Sequence, residues 1–497
     1  RVVDSCYGKV SAEVREYLCS PYSPAYPRAY AGAEIICNAS GSPFTPLKNQ
    51  LRKRLVHNSA AGMACVYAYG NLLGLDNSRL VFDGGGIIAT PERIIAEGPI
   101  LDPRPWTLTT GVVDLDDIAR VRAENSTWRR DMPTEDGHRN AAETIVIEGP
   151  FEQADVNEIS ATLPKDFWVP DAASEPDETN QYLDELFDAL VLGLRDYFEK
   201  AGAFQRYLIA LSGGRDSALC LLLAVYAART MQWGKGAPVD ERVSAVYLPN
   251  ESYSTSTTEN AARALAEELG VPFRVVSIGE EAKLAEKKTA EMSGGAEKVL
   301  PLTKQNLQAR IRGAMMLNWA NNVGGLLLVT SNLSEAAVGY TTTGGDNEGG
   351  YSPVANLPKT LISRLLAHVA ERDGVKSLQT VLAIPPTAEL APDQTDERDL
   401  MPYAVLDDLL YLFAQRRMAL ADCWRVVCDR HTDHDPEKLR EWTAKFGRLF
   451  VQSQWKREQL PVALRVLDLD LDPKTGFRFP VLQSIQDELD ELAKATR

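Results

Sequence analysis

The stretch Tyr207-Leu208-Ile209-Ala210-Leu211-Ser212-Gly213-Gly214-Arg215-Asp216-Ser217 decides the fold of the larger part of this chain. Its first five residues are apolar without alternation, which reads as a strand covered on both faces. The residues after it, 218–227, take helical spacing. Where a strand turns into a helix, the first amides lack intrahelical acceptors and the helix dipole is positive, so the turn attracts anions. Gly213 and Gly214 let the backbone approach a pyrophosphate closely. Ser212 and Ser217 offer hydroxyls, and Asp216 offers an oxygen ligand for Mg2+. The run is not Gly-x-x-x-x-Gly-Lys-Ser/Thr, so the γ-phosphate chemistry of ordinary P-loop proteins is not expected. A chance Gly-Gly turn before a helix is the plain alternative.

Outward from this loop, strands and helices alternate. Residues 182–198 read as a helix, 243–248 as a strand, 257–269 as a helix and 272–276 as a strand. A helix over 306–321 then precedes a strand over 326–329. Such alternation predicts a doubly wound parallel sheet with helices on both faces. Nearer the start, 33–38 and 63–69 read as buried strands with a helix between them, and 125–179 is rich in Asp, Glu, Pro and Ser. The expected organisation is therefore a front domain over 1–124, a linker over 125–179 and a second domain over 180–497.

A chain of 497 residues exceeds what one core usually organises, and 44% hydrophobic with 25% charged residues is an ordinary globular balance. The net charge of −16 argues against a broad grip on nucleic acid or anionic membrane. No apolar run approaches the roughly 18 residues that span a bilayer, and no export pattern opens the chain, so a cytoplasmic location is expected. Seven scattered cysteines without a Cys-x-x-Cys pair suggest neither a disulfide framework nor a zinc site. The first residue is Arg1, and the chain reads as beginning inside a domain.

The loop resembles the Ser-Gly-Gly-x-Asp-Ser loop of the N-type ATP pyrophosphatases, and further segments narrow the resemblance. Gln305-Asn306-Leu307-Gln308-Ala309-Arg310-Ile311-Arg312 and Thr330-Ser331-Asn332-Leu333-Ser334-Glu335 are similar to two segments of the NAD synthetases. Gly345-Asp346, Gly349 to Pro353, Pro358-Lys359-Thr360, Pro386 to Leu390, Gln394 and Leu400 to Tyr403 follow in the family's order. Ser453-Gln454-Trp455-Lys456-Arg457 and Arg478-Phe479-Pro480 close the pattern, while Gly344, Asn347 and Glu348 depart from it. The resemblance implies ATP bound by Ser212, Gly213, Gly214, Asp216, Ser217 and Thr330. It implies deamido-NAD bound by Asn306, Arg310, Glu335 and Lys456, Mg2+ held by Asp216 and Glu335, and catalysis by Asp216, Glu335 and Lys359. Without the motifs, Arg310, Arg312 and Lys456 would be ordinary surface charges, Glu335 a helix N-terminal carboxylate and Asn306 a helix cap.

The front segment is similar to the second half of the nitrilase-like glutaminase found in glutamine-dependent NAD synthetases, an α-β-β-α sandwich. Ser20 to Pro24, Gly32 to Ile36, Asn38 to Ser42, Arg79 to Gly84 and Gly111 to Leu115 carry this likeness. Aligning on Pro21 puts Arg15 where the family has its cysteine nucleophile, and arginine cannot form a thioester. The family's general-base Glu and its Lys would lie before Arg1. Cys19 is either a displaced nucleophile or a buried structural thiol.

The expectation is an α/β ATP-pyrophosphatase-type domain fused to part of a nitrilase-like domain. It would convert deamido-NAD, ATP and ammonia, or glutamine through an intact glutaminase, into NAD, AMP and pyrophosphate, as a homo-oligomer. Another adenylating or sulfur-transfer enzyme using the same loop is the rival reading. Those acting on tRNA would need a basic tract that is absent here. A nucleotide-binding scaffold without catalysis is the third.

Overall fold

The computed structural model describes residues 2–5, 8–14, 18, 23–76, 79–113, 115–125, 128, 166–168, 176–251, 254, 256–385 and 396–496. Arg15, Cys19, the run Pro386 to Leu390, Gln394 and most of the 125–179 stretch lie outside these residues. The chain divides into two compact units, Arg1–Asp76 with Val81–Asp155, and Asn77–Leu80 with Val156–Arg497.

The first unit is built on a six-stranded mixed sheet. Its strands are β1 (Val2–Ser5), β2 (Gly8–Val14), β3 (Ile35–Ser40), β4 (Val66–Asn71), β7 (Gly86–Ala89) and β8 (Ile94–Glu97), in the order β1-β2-β3-β4-β7-β8. Strands β5 (Leu73–Asp76) and β6 (Leu80–Asp83) pair separately as a ribbon. The central pairings β2/β3 and β3/β4 are parallel, and the outer ones are antiparallel. Helix Lys48–Met63 lays Val56, Ala60 and Met63 against Ile36, Tyr67 and Ile87. Met63 therefore closes the helix instead of opening the strand expected over 63–69, because the helical period carries it into the core. Ala64 then turns the chain with φ 42°, and the strand begins at Val66.

Two buried charges join this helix to β6. Arg52 and Asp83 pair at 2.5 Å with 3% and 1% side-chain exposure. The remaining Asp83 oxygen accepts from Asn71 Nδ2 at 2.9 Å, and Arg52 Nη2 donates to the Ser42 carbonyl at 3.2 Å.

The second unit carries a four-stranded, wholly parallel sheet: β9 (Arg206–Ala210), β10 (Val243–Tyr247), β11 (Phe273–Val275) and β12 (Gly325–Leu327), in the order β11-β10-β9-β12. Alternation along β9 sends neighbouring side chains to opposite faces. Leu208 joins Val246, Leu327, Met316 and Ala320 under helix Pro301–Val323. On the other face Tyr207 lies 4.5 Å from the Phe198 ring and donates its hydroxyl to the Leu194 carbonyl at 3.2 Å, both in helix Pro176–Ala201. The doubly wound α/β class expected from the sequence is the class found.

Helix Pro301–Val323 starts well before the expected 306, because Pro301 occupies the first turn, where its missing N–H costs nothing. Asn306 is thereby a helix-interior residue and not a cap. The helix expected over 218–227 runs Arg215–Gly234, so Asp216 sits in its first turn. No helix among the described residues is long and apolar enough to cross a membrane.

Strand order reverses between β9 and β12. In open parallel sheets the loops leaving two such strands diverge to opposite faces and open a crevice at the carboxyl edge. The loop from Ser212 follows β9, and the segment from Thr330 follows β12.

Asp83→Ala would strand the buried Arg52 guanidinium and should destabilise the first unit by roughly 3–5 kcal/mol. Faster hydrogen exchange across β3, β4 and β7 would register it; unchanged protection would mean that the pair contributes nothing.

Candidate active site

At the β9 edge the chain turns through Gly213, whose φ is +82° and whose hypothetical Cβ would lie 2.3 Å from the Thr258 carbonyl oxygen. Only glycine fits this position. Ser217 is buried and braces the turn from within: its Oγ accepts from Ser212 N at 3.2 Å and donates to the Gly214 carbonyl at 3.1 Å. Ser212 Oγ lies 3.0 Å from Ser217 Oγ and accepts from Gly214 N at 3.2 Å. Ser212 and Gly214 line an open cleft of ≈ 1020 Å³, counted out into solvent.

Two carboxylates meet one ammonium in this cleft. Lys359 Nζ lies 2.5 Å from Asp216 Oδ2 and 3.2 Å from Glu335 Oε1, and the lysine side chain is only 7% exposed. Asp216 comes from the β9 side of the reversal, and Glu335 from the β12 side. Asn332, fully buried, ties the two together. Its Nδ2 donates to Asp216 Oδ1 at 3.0 Å, while its Oδ1 accepts from Glu335 N at 2.9 Å. The Glu335 side chain accepts in return from Asn332 N, a capping box at the start of helix Leu333–Val338. The helix-terminal role and the site role of Glu335 thus coexist.

Beyond this centre the cleft is walled by Val246, Tyr247 and Leu248 of the β10 edge, by Thr258, and by the cations Arg215 and Arg312. Arg215 stands in the first turn of a helix, where a cation is disfavoured. Its guanidinium is held by Ser363 Oγ at 3.0 Å and the Leu382 carbonyl at 2.9 Å. Arg312 Nε donates to the Leu248 carbonyl at 2.9 Å. Thr330 is half-buried and does not line the cleft.

The remaining expected residues gather around the turn 339–347. Asn306 Oδ1 accepts from Thr342 Oγ1 at 2.9 Å, and Arg310 Nε donates to the Thr343 carbonyl at 3.1 Å. Lys456 Nζ donates to the carbonyls of Gly339 at 2.7 Å and Thr341 at 2.8 Å. Burial lowers the Lys456 pKa, against the nearby Asp346 charge. Asp346 accepts from Thr342 N at 2.8 Å and also lines the cleft, so this cluster adjoins the first. Asn347, one of the departures from the family pattern, turns inward between Ser331 Oγ at 3.1 Å and Thr341 Oγ1 at 3.0 Å.

Sequence reasoning did not single out Asp407. It is 1% exposed and accepts from Ser334 Oγ at 2.5 Å, Thr360 N at 2.9 Å and Thr360 Oγ1 at 2.7 Å. A detectable signal existed: Asp407-Asp408 interrupts the apolar run Val405-Leu406 and Leu409-Leu410 in a helix, where acids need partners. Arg215, Arg312 and Asn332 stand inside quoted motifs but were given no role, since their hydrogen bonds reach carbonyls and carboxylates remote in sequence.

Two outcomes test this geometry. Gly213→Ala should lower the melting temperature by several degrees, because its φ is left-handed and its Cβ meets the Thr258 carbonyl; an unchanged melting temperature would show that the turn is not under steric control. Burial pushes the Asp407 carboxyl up to about 6, against the hydrogen bonds it accepts. With the folded value raised, its contribution to folding is full below the ordinary carboxyl value of about 4 and is lost as pH rises through about 6. Asp407→Asn should therefore flatten the stability profile in that window, read by urea unfolding at successive pH values; an unaltered slope would exclude titration there.

Comparison with known proteins follows the same lines. The family model for NAD synthase matches residues 186–441. A glutamine-dependent NAD(+) synthetase from Aquifex aeolicus is 31% identical over 467 residues, 92% of this chain and 72% of that one. Its counterpart from Thermotoga maritima is 30% identical over 92% of this chain and 72% of its own length. A glutamine-dependent NAD(+) synthetase structure from Cytophaga hutchinsonii superimposes with TM-score 0.73 at 22% identity, over 99% of this chain and 74% of that one, and so shares the fold. With the loop, the paired carboxylates and the family model falling on the same segment, the chain belongs to the NAD synthetase family.

Proposed function

We propose that this chain amidates the nicotinate carboxylate of deamido-NAD at the cleft between the β9 and β12 loops. The observation that carries the reading is the Lys359 ammonium held between Asp216 and Glu335 beside the phosphate loop. ATP lies with its phosphates against Ser212 to Gly214 and the helix terminus there. Asn306, Arg310 and Lys456 border the deamido-NAD. A nicotinate carboxylate oxygen attacks the α-phosphorus and the bond to pyrophosphate breaks, leaving an acyl adenylate. Ammonia then adds to the acyl carbon, loses a proton and expels AMP. Lys359 stabilises charge that moves onto the phosphate oxygens, an interaction strongest in a water-poor site.

Asp216 and Glu335 also suit Mg2+, which uses one or two carboxylates and completes its shell with phosphates and water. Bound there, Mg2+ would neutralise the departing pyrophosphate. The nitrogen is ammonia, taken free or released from glutamine where an intact glutaminase part exists. Family membership supports a cytoplasmic homo-oligomer as the working form.

The purified chain with ATP, Mg2+, deamido-NAD and ammonium should form NAD and AMP in equal amounts. Lys359→Met should lower kcat on the order of 10²- to 10³-fold. NAD formation from glutamine as well would place a working glutaminase in the chain, and failure with both donors would overturn the substrate.

A further inference from the structure

Helix Lys359–Asp373 begins without a side-chain cap of its own, since its N-cap residue is Pro358. Its first amides have no intrahelical acceptors and find them elsewhere in the chain. Lys359 N donates to Ser334 Oγ at 2.9 Å, and Thr360 N donates to Asp407 Oδ2 at 2.9 Å. Ser334 Oγ in turn donates to Asp407 Oδ1 at 2.5 Å. One carboxylate, carried by helix Tyr403–Leu410, therefore grips both neighbours of the centre: Ser334 precedes Glu335, and Thr360 follows Lys359. The same helix meets the ammonium directly, with the Tyr403 ring centroid 5.3 Å from Lys359 Nζ. Asp408 cannot substitute, because it faces the other way toward Arg430 at 2.8 Å and His431 at 3.0 Å.

We propose that Asp407 is a positioning residue of the adenylating centre, clamping the Glu335 segment to the Lys359 segment so that the ammonium stays between its two carboxylates. The inference rests on the function proposed above. In the hydrogen bonds described Asp407 touches neither the phosphate loop nor the turn 339–347, so its loss leaves Ser212 to Gly214, Asn306, Arg310 and Lys456 in place. What changes is where the ammonium stands when charge moves. Asn at 407 keeps the volume but turns an amide donor toward Ser334 or Thr360, both of which donate.

The test compares Asp407→Asn and Ser334→Ala with Asp196→Asn, which removes a buried carboxylate paired to Arg195 at 2.6 Å elsewhere in the same unit. NAD formation with ammonium gives kcat and both KM values. Labelling of Lys359 by an amine-reactive ester, read by mass spectrometry, reports its exposure without substrate. For Asp407→Asn, kcat should fall on the order of 10²-fold with KM for ATP and deamido-NAD within about threefold, as for a misplaced catalytic group. Lys359 labelling should rise several-fold. Ser334→Ala should move the same way, and Asp196→Asn should move neither reading. Unchanged kcat in Asp407→Asn, or kcat and KM worsening together while Lys359 labels at the parent rate, overturns the clamp. If the parent chain makes no NAD, the substrate reading falls, and labelling alone judges the clamp: a rise in both variants supports it, and the parent rate overturns it.

Discussion

The reversal of strand order between β9 and β12 is the constraint on which the second unit depends. A parallel strand can be reached only by a crossover, and right-handed crossovers from one strand to opposite edges put helices on opposite faces. At that one seam two consecutive carboxyl-end loops part, and nothing in the sheet fills the space between them. Asp216 enters from one side and Glu335 from the other. Their charges would repel across the gap, and the Lys359 ammonium, delivered by a third segment, holds them together.

Such a cluster is stable only if each buried polar atom has a partner. The structure meets this with neutral groups placed between charged ones. Asn332 donates to one carboxylate and caps the helix that carries the other. Ser334 accepts from the lysine backbone and donates to Asp407. Each of these side chains has a local duty at a helix end and a second duty at the centre. Removing one would therefore disturb both the helix and the chemistry.

The first unit shows the same economy in a separate core. Glu13, 3% exposed, accepts from Ser23 at 3.0 Å, from Asn38 at 3.1 Å and from the Tyr67 hydroxyl. Arg52 and Asp83 pair beneath helix Lys48–Met63, although Arg52 Nε itself finds no hydrogen-bond partner among the described residues. Buried ions of this kind confer little net stability over apolar packing but are costly to break singly.

Sequence alone determined the strand, glycine turn and helix at 207–217 and the alternation that makes a parallel sheet. These follow from local rules: apolar runs, backbone freedom at glycine, and orphan amides at a helix start. It also marked Asp216, Glu335 and Lys359, through motif resemblance. Tertiary structure decided the rest. Asn306 lies inside its helix, which excludes the plain cap reading, because Pro301 starts the helix earlier. Met63 went to a helix because its period meets the core. Asp407 was marked in sequence only as a buried acid, and its place at the site was not, because its partners, Ser334 and Thr360, lie 73 and 47 positions away. A hydrogen bond between remote residues has no local signature; only the packing of two helix ends on the carboxylate of a third helix creates it.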